Sequence, residues 1–105
     1  LAVMSMKKET REKITEAAYR IADTHGLHAM TRARIAAHAG VSDGHVNNAY
    51  GSMTGLESQV VALALERGSV RIVLAAVSDR HPATRGMTSA DLMAFIAQHG
   101  KAKAS

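Results

Sequence analysis

Apolar side chains recur every three or four residues along most of this chain, which is the spacing of one face of an α-helix. A first helix is predicted to start at Thr10, a good N-cap, and to stop at Gly26, because glycine is typical just past a helix C-terminus. Its apolar stripe consists of Ile14, Ala17, Ala18, Ile21 and Ala22. Alternating runs typical of strands are absent, so the sequence predicts an all-α fold.

Residues 31–50 predict two short helices joined by a tight turn. The first runs from its cap Thr31 to Gly40, and the second restarts after Val41 with Ser42 as its cap. Small residues on the first helix let the second cross it closely, and glycine permits the sharp reversal. The second helix is expected to bury Val46, Ala49 and part of Tyr50. This is the construction of a helix-turn-helix, whose second helix enters the major groove of DNA.

The C-terminal half of the chain predicts two more helices. Thr54 and Glu57 have the spacing of a capping box, so a helix should start there and continue to Val77, with a bend allowed at Gly68. Apolar residues between 70 and 77 occupy more than one face of this helix. A monomer of this size has few elements to cover them, so a second subunit is expected to do so.

The loop 78–88 contains the only proline, and a last helix is predicted over residues 90–99. The expected organisation is a flexible arm (1–9), a three-helix helix-turn-helix head (10–53), a helical dimerisation segment (54–99) and a flexible tail (100–105). The dimerisation segment would consist of a long helix and a short C-terminal helix.

Composition narrows the class of protein. A chain of 105 residues is one domain by size, and its formal net charge of +4 favours a polyanionic partner such as nucleic acid. No cysteine is present, which excludes a disulfide scaffold and a thiolate metal site. No apolar run reaches the roughly 18 to 20 residues of a membrane span, and the first six residues are too short for a secretory signal. We therefore expect a cytoplasmic protein with no membrane partner.

Metal and catalytic sites are not expected. Six histidines are present, but His25 and His28 straddle Gly26 at a helix end, and no acidic residue lies at a recognised ligand interval. No nucleophile with its base, glycine-rich phosphate loop or buried carboxylate pair can be placed in one pocket. The sequence thus predicts neither an enzyme nor a cofactor.

The outer face of the second short helix carries the candidate DNA contacts. Asn47 and Asn48 are poor interior helix residues, and an asparagine amide can bind adenine through two hydrogen bonds in the major groove. The alternative is that they only end a short helix or face solvent. His45 could donate to a phosphate or a base, or be an ordinary surface histidine. Asp43 repels phosphate but stabilises the helix N-terminus, and Gly44 is explained by close approach of backbone or DNA.

The remaining candidates contact the phosphate backbone. Ser42 and Thr31 are N-caps first, and their hydroxyls and nearby amides also suit phosphates. Arg32 and Arg34 open a helix against its dipole, which indicates a nearby polyanion rather than a solvated face. Tyr50 is expected to be half core and half phosphate contact through its hydroxyl.

Basic residues outside these helices have weaker interpretations. An arm or helix start containing Lys7, Lys8, Arg11 and Lys13 could lie along the phosphate backbone or form a solvated terminus. Four outer arginines are expected to serve solubility and partner contacts, namely Arg67, Arg71, Arg80 and Arg85.

Residues 10–68 resemble the DNA-binding domain of the tetracycline-repressor (TetR) family. The most specific matching elements are Ala39-Gly40-Val41-Ser42, then Gly44, and Tyr50-Gly51-Ser52 after the third helix. The other matching positions are residues 10–14, 17–18, 25–26, 30–31, 35–36 and 56. The resemblance implies a DNA-binding regulator.

Three departures from the family pattern limit what the resemblance implies. Only about fifty residues follow the head, where the family usually has a larger ligand-binding and dimerisation domain, so no small-molecule ligand is expected. Asn47 and Asn48 stand where the family favours an aromatic pair, and Met53 where a phosphate-binding lysine is common. Base preferences therefore cannot be transferred.

The combined expectation is a repressor that binds a palindromic operator in duplex DNA as a homodimer, in the bacterial cytosol at the nucleoid and without an inducer. One alternative is an architectural or accessory DNA-binding protein of a plasmid, phage or mobile element. A second alternative is a protein-interaction module that uses the C-terminal helices.

Overall fold

The computed structural model describes the backbone of residues 2–50 and 52–104, and the side chains of residues 9–47, 49–50 and 52–100. This part contains no strand, and its α-helices are α1 (Ala2–His25), α2 (Arg32–Ala39), α3 (Asp43–Tyr50), α4 (Met53–Arg67), α5 (Val70–Ser78) and α6 (Ser89–Ala104). Short 3-10 helices lie at Leu27–Ala29 and Pro82–Thr84. The predicted all-α class with a three-helix head is confirmed.

Two predicted helix boundaries near the ends of the chain differ from the structure. The first helix begins at Ala2, so Thr10 is an internal residue and residues 2–9, expected as a flexible arm, are helical. Residues 2–9 contain neither glycine nor proline, so nothing in the local sequence interrupts the helix. Similarly, α6 continues through Gly100 to Ala104, into the segment expected as a tail. A single glycine costs a helix only about 1 kcal/mol, which its neighbours can offset.

The predicted long helix is divided into α4 and α5. Gly68 ends α4 in the left-handed conformation, with φ 79°, and Ser69 is the N-cap position of the next helix. The start of α4 also differs from the prediction, because Ser52 caps it by accepting a hydrogen bond from the Gly55 N–H at 3.2 Å. Thr54 therefore lies inside the helix, and the break at Gly68 lets α5 pack back against α4.

One apolar core joins the head (α1 to α3) to the C-terminal helices. The predicted stripe of α1 is buried against α2 and α4. The largest fully buried side chains are Ile14, Ile35, Val46, Leu56, Val60, Val61, Ile72 and Val73. Because α5 contributes two of them, the C-terminal segment is packed on the head rather than separate from it.

A group of polar contacts, here called the α1 clamp, fixes the α4–α5 corner to α1. The guanidinium of Arg67 donates two hydrogen bonds of 2.7 Å to the carboxylate of Glu16. The Ser69 hydroxyl donates to Asp23 Oδ1 at 2.7 Å. Arg71 donates to the carbonyls of Asp23 and Thr24 at 2.9 and 3.1 Å, which gives partners to two carbonyls of the last turn of α1.

No helix in the described part of the chain combines the length and apolar character that a membrane crossing requires.

Replacing Gly68 with alanine should destabilise the protein. The left-handed backbone costs an L-residue about 1 to 2 kcal/mol, and a Cβ at this position would lie 2.4 Å from Nδ1 of His99. The His99 ring packs against Phe95 in a tilted arrangement, with 4.6 Å between the centroids, so its movement also disturbs α6. Urea denaturation of Gly68→Ala should show a loss of stability of about 2 kcal/mol or more. Gly86→Ala is the matched control, because its Cβ would meet no atom within 4 Å, and a wild-type midpoint for Gly68→Ala would contradict the described corner.

The ion pair between Glu16 and Arg67 should be visible in the pH dependence of stability. Hydrogen bonding from Arg67 lowers the pKa of Glu16 below its ordinary value of 4.5, against a smaller opposing effect of burial. The stabilisation is therefore fully present above pH 4.5 and is lost as the pH falls through the lowered pKa of the folded state. The pair is partly exposed, so it should contribute about 0.5 to 1 kcal/mol at neutral pH.

The measurement compares wild type with Glu16→Gln by denaturant unfolding at several pH values. The difference between the two should be constant near neutrality and should shrink in acid below the ordinary glutamate pKa. A difference that stays constant through the acid range would show that the carboxylate charge contributes nothing.

Candidate nucleic-acid interface

A left-handed glycine turn sets the geometry of α2 and α3. Gly40 ends α2 with φ 73° and ψ 33°. The N–H groups of Gly40 and Val41 donate to the carbonyls of Ala37 and Ala36 at 3.4 and 3.0 Å, which closes the helix end. The chain reverses there and α3 begins at Asp43. The turn predicted from the glycine is thus present.

The first turn of α3 is closed by a reciprocal pair of hydrogen bonds between Ser42 and His45. The Ser42 Oγ accepts from the backbone N–H of His45 at 3.3 Å, and Nδ1 of the His45 ring accepts from the Ser42 N–H at 3.4 Å. This is the arrangement of a capping box, with histidine in place of the usual glutamate. Because an amide N–H can only donate, Nδ1 carries no proton, so the ring proton is on Nε2, where it can donate to an external acceptor.

The two faces of α3 differ sharply in exposure. Val46 is only 2% exposed and Ala49 is half-buried, whereas Asp43, Gly44, His45 and Asn47 are exposed. The backbone of Asn48 belongs to α3, but its side chain lies outside the described residues. An outward face with a histidine and an amide, and with one carboxylate at its N-terminal end, can exchange hydrogen bonds with base edges.

Gly44 is not explained by close packing inside the protein. A Cβ built on Gly44 would meet only the Ser42 Oγ, at 3.7 Å, which is an ordinary contact. The predicted approach of another protein backbone is therefore absent among the described residues. The approach of an external molecule to this backbone remains a prediction.

The start of α2 adds positive charge beside α3. Thr31 caps the helix by accepting from the Arg34 N–H at 3.2 Å, as predicted. Arg32 and Arg34 are exposed, and no carboxylate is present in the first turn of this helix. Both guanidinium groups lie at the positive end of the helix dipole, and no carboxylate in the described part of the chain pairs with them. The start of α2 is therefore a favourable position for an anion.

Tyr50 has intramolecular partners that sequence analysis did not indicate. Thr15 donates its hydroxyl proton to the Arg11 carbonyl at 2.9 Å, so the hydrogen bond between Thr15 and Tyr50 takes its proton from the tyrosine. The Arg11 guanidinium lies 4.7 Å above the Tyr50 ring. A phosphate contact through this hydroxyl would therefore require Tyr50 to release Thr15. No local signal links residues 11–15 to residue 50.

An open groove of about 460 Å³ lies between α1 and α4, beside Tyr50. This volume falls in the range of small-molecule pockets. The sequence analysis expected no such pocket, because the C-terminal segment is short. However, its charged lining includes Arg11 and Arg67, which are already engaged with Tyr50 and Glu16. Among the residues whose side chains are described, no three histidine or acidic groups lie close enough to hold a metal ion.

Comparison with known proteins gives one result. Residues 14–60, which comprise the core of α1, all of α2 and α3 and the first half of α4, match the model of the family described as bacterial regulatory proteins, tetR family. No curated protein and no solved structure matches the chain. The matched segment contains the Gly40 turn, the capped start of α3 and its exposed polar face. Residues 14–60 therefore match the DNA-binding domain of the tetR family, and this match supports a DNA-binding transcription regulator.

Proposed function

We propose that the protein is a repressor that binds a palindromic operator in duplex DNA as a homodimer. The observation that carries this proposal is the outward face of α3, which exposes Asn47 and the Nε2–H of His45 while Val46 anchors the other side. An eight-residue helix fits the major groove, where its N-terminal residues reach base edges. Asn47 and Asn48 would read bases, and His45 would donate to a base or a phosphate.

The phosphate contacts are assigned to the elements that flank α3. Arg32 and Arg34 project from the start of α2, and the hydroxyls of Thr31 and Ser42 lie at the starts of α2 and α3. Helix N-termini with free amides favour phosphate oxygens. Asp43 would stabilise the first turn of α3 rather than touch DNA.

The homodimer is supported by apolar side chains that the monomer leaves exposed. These are Leu65 at 36%, Leu74 at 39% and Met93 at 71% exposure, on α4, α5 and α6. A second copy related by a two-fold axis would cover such surface and place a second α3 about 34 to 36 Å away, or slightly farther, on the next accessible major groove. A palindromic site follows from that symmetry.

Repression by excluding the polymerase requires no effector, and we propose no inducer. The groove beside Tyr50 is open to solvent, and its main cations are paired within the protein. The site of action would be the nucleoid in the bacterial cytosol.

Footprinting tests the proposed repressor against an architectural role, because a repressor protects a few palindromes whereas an architectural protein covers long stretches. Absence of DNA binding at low salt would instead favour a protein-interaction module.

Asn48→Ala and Arg34→Ala should weaken DNA binding in different ways. Loss of a base contact by Asn48→Ala, or by Asn47→Ala, should lower affinity for a selected operator by about 1 to 3 kcal/mol and relax preference at one base position. Loss of a phosphate contact by Arg34→Ala should weaken all sequences alike and reduce the salt dependence. Binding to a pool of duplexes selected from random sequence provides both readouts. Wild-type behaviour of all three variants would show that DNA lies elsewhere.

Gly44→Ala should separate stability from DNA binding. Alanine at this exposed helical position fits without a clash and should stabilise the fold by about 0.5 to 1 kcal/mol. The added methyl group stands on the face proposed to enter the groove, so operator affinity should fall. Thermal unfolding and operator titration of the same preparation test both effects. If affinity rises together with stability, the backbone of α3 does not approach DNA closely.

A further inference from the structure

Four arginines lie between α4 and α6, and the structure divides them into two pairs. Arg67 and Arg71 belong to the α1 clamp, where each is occupied by partners on α1. Arg80 and Arg85 are exposed, and among the described residues their guanidinium groups make no hydrogen bond or ion pair. The second pair is therefore available to an external anion.

Arg80 occupies a backbone position that ordinarily favours glycine. Its φ is 55°, and no other non-glycine residue of the described chain has a positive φ. The N–H groups of Arg80 and His81 donate to the carbonyls of Val77 and Ala76 at 3.0 and 2.9 Å, which is the same closure that ends α2. At the ends of α2 and α4 the left-handed residue is a glycine, Gly40 or Gly68. An exposed arginine in that conformation is strained, and strain of this kind concentrates at functional positions.

The loop that carries both arginines, residues 79–88, is held in a defined place. The His81 side chain is only 10% exposed, and its Nδ1 accepts from the Ala83 N–H at 3.1 Å. The ring proton is therefore on Nε2, which donates to Glu57 Oε1 at 3.3 Å. Thr84 is also buried, and its hydroxyl donates to the His81 carbonyl at 2.9 Å. These anchors preorganise the loop, which lowers the entropic cost of binding.

This anchoring places the loop beside the DNA-binding end of the head. Glu57 is four residues into α4, or about 6 Å along the helix from its start, and α4 starts directly after α3. At the other edge of the loop, Asp79 lies 3.5 Å from Nε2 of His28, three residues before the cap of α2. The loop therefore contacts the beginning of α4 and the 3-10 helix that precedes α2.

The neighbouring part of α4 supplies no cation of its own. From Met53 to Glu66 this helix contains no lysine or arginine, and it carries Glu57. A helix in the major groove has a phosphate backbone on each side. On the α4 side the loop supplies Arg80 and Arg85, whereas Arg11, which lies over the Tyr50 ring just before α4, is engaged with that ring.

We propose that the loop between α5 and α6 is an additional DNA contact, in which Arg80 and Arg85 bind backbone phosphates beside the start of α4. The inference rests on the proposed DNA-binding function. It assigns to these arginines an affinity role without base preference, because phosphate contacts position a protein but do not read sequence.

The test compares Arg80→Gly, Arg85→Gln and the double variant with wild type. The probe is a random-sequence duplex of about four helical turns, roughly 40 base pairs, titrated at several salt concentrations. Each lost phosphate contact should reduce the slope of log K against log salt by about 0.9 per subunit, which corresponds to about eightfold weaker binding at 0.1 M salt relative to a 1 M reference. The double variant should lose about sixtyfold per subunit.

Arg80→Gly has a second readout that guards against an unfolding artefact. Because glycine relaxes the left-handed position, its thermal midpoint should rise by a few degrees while DNA binding weakens. If Arg80→Gly lowers the midpoint instead, Arg85→Gln decides the proposal, since Arg85 has an ordinary helical conformation. Arg20→Gln is the charge control: it removes from α1 an exposed cation whose Nε lies 3.7 Å from the Glu16 carboxylate, and its salt slope should match wild type.

Two results would overturn the inference while leaving the proposed function intact. The first is wild-type affinity and slope for the double variant. The second is an equal loss for Arg20→Gln and Arg85→Gln, which would show that net charge alone matters. Failure of wild type to bind the duplex at low salt would remove the proposed function itself, so the two failures are distinguishable.

Discussion

The outward face of α3 depends on the burial of Val46 on the opposite side. An isolated helix of eight residues is far below the roughly 12 to 15 residues that are marginally stable in water. Its stability therefore comes from packing Val46 into the core and from the paired hydrogen bonds of Ser42 and His45. If that anchor were lost, Asn47 and His45 would have no defined direction. The polar surface and the apolar core are two consequences of one amphipathic helix.

The same principle extends to α1, which supports every other part of the head. Its buried stripe packs against α2 and α4, and its exposed edge supplies Glu16 and two terminal carbonyls to the α1 clamp. Thr15, on the same helix, holds the hydroxyl of Tyr50 at the end of α3. The position of α3 relative to α4 is thus set through a third helix that contacts both, which makes α1 a scaffold.

The arginines of this chain fall into two groups, those that bind within the protein and those that do not. Their degree of exposure does not distinguish the two groups. Arg67 and Arg71 are exposed, yet both donate hydrogen bonds to partners within the protein. Arg32, Arg34, Arg80 and Arg85 are equally exposed, and their charge faces outward without such partners in the described structure. The surface offered to a polyanion is therefore defined by the arginines that folding leaves unused. Net charge alone would have counted all of them alike.

Local signals predicted the parts of the structure that are decided within one or two turns of chain. The spacing of Ile14, Ala17 and Ile21 predicted the buried face of α1, and Thr31 and Gly40 bound α2 as expected, because caps and left-handed turns act over three to five residues. Such signals also failed where two of them competed. Thr54 had a capping-box partner, yet Ser52 caps α4, since hydroxyl residues two positions apart offer nearly equal caps.

The sequence alone therefore determined the helical class, the glycine turn and the polar character of α3. Tertiary structure decided that the chain breaks at Gly68 so that α5 returns along α4, that Arg67 meets Glu16 across 51 residues, and that the loop of Arg80 lies beside Glu57. The physical reason is the distance along the chain over which each interaction acts. Helix periodicity and capping are properties of neighbouring residues, whereas the partner of a surface charge is chosen by how whole helices pack.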